Sequence, residues 1–249
     1  MRLTELEIYV NQLLDIAHFR DYCPNGLQVE GRSEIRKLVS GVTASFALLE
    51  AAVDLGADAV LVHHGYFWRG EDSCLINMKR RRIGLLMEHD VSLLAYHLPL
   101  DAHADLGNNT QLARRMGFME TARFGDQHIA MQGTLFSQVS TLRDLRINIE
   151  QVLSRKPLVI GDDTKLVRRI AWCTGGAQGY FDEAIHLGVD AFVTGEISEQ
   201  NVHAARESGV AFISAGHHAT ERYGIQALGE HLSHKFGITH QFIDIDNPV

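Results

Sequence analysis

Between residues 35 and 123, short aliphatic and β-branched runs alternate with segments whose apolar positions recur at helical spacing. "IRKLVSGVT" predicts a strand, "ASFALLEAAVDLG" a helix capped at Thr43 or Ser45 and stopped at Gly56, and "DAVLV" a second strand. "MKRRRIGLLMEHD" follows as a helix, "VSLLAYH" as a strand, then a loop from Pro99 to Gly107 and the helix "NTQLARRMG". Upstream, "MRLTELEIYVNQLL" predicts an amphipathic helix with Thr4 and Glu7 as a capping box. Strands alternating with helices predict βαβ units around a mainly parallel sheet.

The pattern returns later. "VRRIAWCTGG" reads as a strand, "YFDEAIHLG" as a helix, "DAFVTGE" as a strand, "SEQNVHAARESG" as a helix and "VAFISAGH" as a strand. A long helix, "ATERYGIQALGEHLSHKFG", and a last strand, "HQFIDI", complete it. "LGADAVLVHHG" aligns without gaps to "LGVDAFVTGEI" at an offset of 132, while His97 with Asp101 matches His217 with Glu221 at 120. The expected architecture is α/β: two related βαβ-type half-domains facing each other, which would bring equivalent strand ends together. The expected division is 1–123, a connecting or accessory segment 124–166, and 167–249, with the last strand a candidate to return to the first half. The segment 124–166 predicts a strand near "IAMQGTLF" and a helix near "TLRDLRINIEQVL".

Composition narrows the setting. A chain of 249 residues, 45% hydrophobic, can bury a sizeable core, and a net charge of −8 opposes general attraction to phosphate backbones. Nucleic acid is therefore not expected as a general partner, and the basic run "MKRRR" reads as the solvated first turn of a helix. Cys23, Cys74 and Cys173 show no CxxC pairing and suggest neither a disulfide framework nor a thiolate zinc site. No apolar run approaches the ~20 residues of a membrane span, and a cytoplasmic protein without a membrane partner is expected.

The candidate chemistry lies at the carboxyl ends of the predicted strands, where His63, His64, His97, Glu196 and His217 fall. One such histidine is ordinarily a hydrogen-bonded rim residue, so the weight rests on the constellation. The His-xxx-Asp unit at 97–101 and the His-xxx-Glu unit at 217–221 each offer an imidazole and a carboxylate that one helical turn can bring together. Nitrogen and carboxylate donors suit zinc, iron, manganese or nickel rather than calcium. Two ions ~3.5–4 Å apart, bridged by a carboxylate for which Glu221 is the choice, would form a hydrolytic site of the two-metal kind. His218 is expected to support the site rather than ligate. Tyr66, Phe67 and Trp68 could stack a heterocycle, with core or interface packing the plainer account. Gly175 and Gly176 could admit a phosphate, with tight packing again the simpler reading.

Together "PNGLQVEG", "HHGYFW", "HLPLDAH", "VTGEISEQ" and "GHHATE" resemble the GTP cyclohydrolase 1 type 2 homologue family, and its YbgI-like bacterial members in particular. The resemblance spans nearly the whole chain. It implies two α/β domains with a dinuclear metal centre between them, a ring-shaped homo-hexamer, and His63, His64, Asp101, His217 and Glu221 as metal ligands. Gly65 departs from the proline that many relatives carry there, and the long inter-domain insertion of some members has no counterpart. His97 and Glu196 are then candidates to move protons, although Glu196 could equally cap the helix beginning near Ser198. The expected activity is metal-dependent hydrolysis, of cyclohydrolase or amidohydrolase type, of a small nucleotide-like or cyclic amide substrate, including damaged or modified nucleotides. The alternative is a non-catalytic metal carrier or ring scaffold.

Overall fold

The computed structural model describes residues 1–136 and 140–249. Its strands, in chain order, are β1 (Gly26–Val29), β2 (Lys37–Thr43), β3 (Ala59–His64), β4 (Ser92–Ala95), β5 (Phe118–Phe124), β6 (Ala130–Leu135), β7 (Ser140–Thr141), β8 (Leu158–Ile160), β9 (Leu166–Val167), β10 (Arg169–Trp172), β11 (Ala191–Thr194), β12 (Ala211–Ser214) and β13 (Thr239–Phe242). The chain forms two compact units, one of residues 1–107 with 224–246 and the other of residues 108–223 with 247–249.

The first unit holds a sheet of order β1-β4-β3-β2-β13, in which β13, β2, β3 and β4 are parallel and β1 is antiparallel at the edge. Alternation along its strands is visible in the packing. Leu38, Leu61 and Leu94 join one core with Leu6 and Val10 of helix Leu3–Leu13 and with Ile225, Leu228 and Leu232. Val39, Val60, Val62 and Leu93 join another with Leu48 and Leu49 of helix Phe46–Asp54 and Ile83 and Leu86 of helix Asn77–Glu88. A sheet covered on both faces needs strands apolar at every position, which is why "AVLV" reads as a continuous run.

The second unit repeats the plan. Its sheet runs β5-β6-β10-β11-β12-β8, with β10, β11 and β12 parallel and the other strands antiparallel. One face packs Ile170, Trp172, Val193 and Ile213 against Leu145 and Ile149 of helix Leu142–Leu153; on the other, the rings of Phe181, Phe192 and Phe212 meet with centroids 4.8–5.9 Å apart.

The repeat extends to register. Leu38 pairs with Ala59 as Ile170 pairs with Ala191, at the offset of 132. Asp58 Oδ2 accepts from the amides of Arg36 and Lys37, and Asp190 Oδ2 from those of Arg168 and Arg169, at that same offset. For the third strand the register offset is 119 rather than 120, since Val62 pairs with Ala95 and Thr194 with Ser214. By register, then, Gly216 is the counterpart of His97, and His217 stands one residue further, at the start of a helix.

Several expectations are refined. The units divide the chain at Gly107 and Tyr223 rather than near 123 and 166. Helix Asn108–Met116 and β5 belong to the second unit, and the segment expected to be accessory supplies it with β6, β8 and helix Leu142–Leu153; residues 137–139 of that segment lie outside the described residues. The last strand does join the first sheet, beside β2. No Thr4–Glu7 capping box forms: the helix begins at Leu3, and Glu7 instead accepts from the amide of Leu27 in β1. Residues Leu98–Ala102, expected as loop, form a short helix with Pro99 in its first turn, where its fixed φ is preorganised. No helix among the described residues is long and apolar enough to cross a membrane.

Candidate metal centre

In the first unit β3 delivers His63 and His64 at its carboxyl end, and the turn after β4 delivers His97. One ligand atom from each lies within 4.8 Å of the others. Residues 63 and 64 would project to opposite faces in mid-strand; at the strand's end their ring centroids are 4.5 Å apart. Each ring meets a protein oxygen at Nδ1: His63 donates to the Tyr96 carbonyl at 2.9 Å, His64 lies 3.2 Å from the Thr43 hydroxyl, and His97 lies 2.7 Å from Asp21 Oδ1. Such a partner at Nδ1 sets tautomer and ring orientation and leaves Nε2 as the nitrogen that a metal would use.

The fully buried His63 is the most informative. Its Nδ1 proton goes to a carbonyl, and its Nε2 stands 3.5 Å from Asp101 Oδ1. A buried imidazole nitrogen facing a buried carboxylate is favourable only with a proton or a metal ion between them. Two ligand atoms each about 2.0–2.2 Å from a tetrahedral ion would be about 3.3–3.6 Å apart, so the spacing fits a metal.

The second unit shows the same motif from a helix. His217 and Glu221 are one turn apart at the start of helix His217–Phe236; Nδ1 of His217 is 2.7 Å from Glu196 Oε1, and Nε2 is 3.2 Å from Glu221 Oε2. Burial would lower the His217 pKa, but Glu221 and then Glu196 outweigh it and raise it to about 9. Two glycines make room for this. A Cβ on Gly175, whose φ is +70°, would lie 2.1 Å from Glu221 Oε1, and one on Gly195 would lie 2.6 Å from the Cα of His217. Tight packing rather than phosphate admission thus accounts for Gly175, and the chain beyond it makes only a short turn and helix Phe181–His186. Glu196 also accepts from Gln178 at 3.2 Å, while the following helix is capped by Ser198 with Asn201, so Glu196 does not cap it.

The two His-xxx-acid units therefore act differently. His217 pairs with its own Glu221, whereas Asp101 faces His63 and His97 takes Asp21. Asp21 escaped the reading of the sequence because nothing at "DYCPNG" marks it. Its 4% exposed carboxylate also accepts from Leu98 N and Asn25, and these bonds, His97 foremost, hold it below the usual carboxylate range against the opposing effect of burial. Cys23 lies in the same cluster, but burial, with Asp21, pushes its thiol up to about 12, which disfavours the thiolate a metal needs. His218 is buried, its amide donating to the carbonyl of Val249 at 3.0 Å. At Gly65 a Cβ would lie 2.1 Å from Gln28 Oε1, the oxygen that receives the Tyr66 amide.

Fold and donor sets together define a two-unit α/β protein with imidazole and carboxylate groups at its parallel-strand ends. The chain belongs to the Duf34/NIF3 (NGG1p interacting factor 3) family, whose model matches residues 1–248. It is 55% identical over 250 residues to a Pseudomonas aeruginosa protein named GTP cyclohydrolase 1 type 2 homolog, covering 99% of this chain and 98% of that one. Among solved structures, protein ybgI matches with a TM-score of 0.96 at 50% identity, covering 100% of both chains. TTHA1606 from Thermus thermophilus matches with 0.91 at 32%, again over 100% of both.

Proposed function

We propose that the protein is a hydrolase dependent on two divalent ions, acting on a small nucleotide-like or cyclic amide substrate. The supporting observation is that an imidazole Nε2 faces a carboxylate twice, His63 to Asp101 at 3.5 Å and His217 to Glu221 at 3.2 Å, with Nδ1 of each ring held by another oxygen. The proposed ligands are His63, His64, Asp101, His217 and Glu221, the set that the family resemblance implies. Their chemistry suits zinc, iron, manganese or nickel. When bound, such ions supply Lewis acidity and lower the pKa of water.

The remaining roles belong to the chain. Asp21 fixes His97 through Nδ1, leaving Nε2 as the atom that exchanges a proton with substrate. Glu196 holds the proton on Nδ1 of His217, keeping Nε2 basic. The names of the relatives, GTP cyclohydrolase 1 type 2 homolog, support hydrolysis of a heterocycle without assigning it. The proposal includes a cytoplasmic setting and a homo-hexamer, the latter checked by light scattering of purified protein.

Metal content per chain on protein purified without chelator, followed by a hydrolysis screen over nucleotides, damaged bases and cyclic amides, tests the reading. About two ions per chain and turnover abolished by His63→Ala would support it. Two ions without turnover would transfer support to the carrier or scaffold, and no bound metal would refute both.

A further inference from the structure

The first unit places aromatic rings and a cation directly beside its histidines. Trp68 approaches His97 edge to face at 4.9 Å between centroids and lies 6.0 Å from His64, while Tyr22 lies 6.4 Å from His97. Tyr22 is 55% exposed and Trp68 half-buried, so neither ring is consumed by core packing; Tyr66, their neighbour in sequence, is. Its hydroxyl donates to the carbonyl of Ala44 inside the core. The Arg69 guanidinium lies 5.8 Å from the Tyr22 ring centroid.

These groups are preset. The Arg69 amide donates to the Tyr22 carbonyl at 2.7 Å and its guanidinium to the Asp21 carbonyl at 3.2 Å, tying the two segments together. Trp68 is fixed by its indole N–H on the Gly65 carbonyl and by its amide on Glu71. Phe67, just before it, holds a left-handed φ of +65°, a conformation that costs energy in a bulky residue and that the surrounding bonds maintain. Rings already held in place lose little further freedom when a flat ligand stacks on them.

We propose that Tyr22, Trp68 and Arg69 form a specificity subsite for a phosphorylated aromatic heterocycle, the rings stacking its base and Arg69 taking its phosphate. Base stacking on aromatic side chains is tolerant of the particular base, and an arginine presents paired donors suited to phosphate. The inference rests on the hydrolase reading above and deepens it by naming the part of the substrate that lies away from the scissile bond.

The test uses the full chain, chelator-treated and metal-loaded, titrated with GMP, guanosine and ribose 5-phosphate while tryptophan emission is followed. Trp172 is fully buried in the other unit, so a change on binding reports Trp68. GMP is expected to quench saturably, guanosine about tenfold more weakly, and ribose 5-phosphate not at all. Tyr22→Ala is expected to weaken GMP about tenfold. Arg69→Ala should bring GMP to the level of guanosine and leave guanosine unchanged, and Trp68→Leu should weaken GMP by equilibrium dialysis. Metal-loaded, folded protein that shows no GMP quench, or that binds ribose 5-phosphate as well as GMP, would overturn the subsite alone. A normal quench in protein that never takes up metal would uphold the subsite and refute the hydrolase.

Discussion

Where the middle strand of the first unit ends in His63 and His64, its counterpart in the second ends at Thr194 and is followed by Gly195 and Glu196. Scaffold, register and even the aspartate that ties neighbouring strands together agree. The difference is in where the candidate ligands originate. The first unit sends two imidazoles from a strand end and a carboxylate from a short helix; the second removes the strand side chain, leaving Gly195 beneath His217, and sends imidazole and carboxylate from one long helix. One scaffold thus yields two donor sets, because the carboxyl ends of parallel strands and the helix starts that follow them share an edge.

Breaking that comparison begins with its carboxylates. Glu221→Ala should lose at least one of two bound ions with the fold kept, read by elemental analysis and circular dichroism; both ions held at unchanged affinity would remove the bridging assignment. Gly175→Ala should lower metal affinity about tenfold or more by displacing Glu221, whereas Thr43→Ala, at the matching place in the first unit, should cost less. The partners of the rings sharpen the comparison further. Glu196→Gln should weaken metal binding about 10- to 100-fold, and Asp21→Asn will do so only if His97 is itself a ligand, which competition titration with a chelating dye decides.

Proton linkage supplies a fourth test. The His217 pKa, raised from 6.5 to about 9 in metal-free protein, makes its pairing with Glu221 a stabilising contribution that is fully present below 6.5 and lost as pH rises through about 9. Melting of chelator-treated protein should therefore fall over that window, and Glu221→Gln should flatten the fall. The smallest effect concerns the shared aspartates. Asp58, lowered by the amides of Arg36 and Lys37 and by Arg32 against its burial, contributes stability above the ordinary carboxylate pKa that is lost as pH falls through its depressed value. Asp58→Asn should cost about 1–2 kcal/mol in urea unfolding at neutral pH, and Asp190→Asn less, since among the described residues no arginine side chain pairs with Asp190 in the way Arg32 pairs with Asp58.

Much of this was legible in one dimension. Continuous apolar runs ending in histidine announced parallel strands covered on both faces with polar groups at their carboxyl ends, and the offset of 132 announced the repeat down to the strand register. Both rest on local chemistry, namely side-chain periodicity and strand pairing. What the chain alone did not disclose was decided by packing. Asp101 serves His63 rather than His97, Asp21 reaches His97 from 76 residues away, and the third strand of the repeat is in register at 119 rather than 120. The sequence by itself determined which strand-end residues are candidates for the chemistry, because their types and positions are local. The tertiary structure alone decided which oxygen holds which imidazole, because a hydrogen bond across the fold leaves no periodicity along the chain.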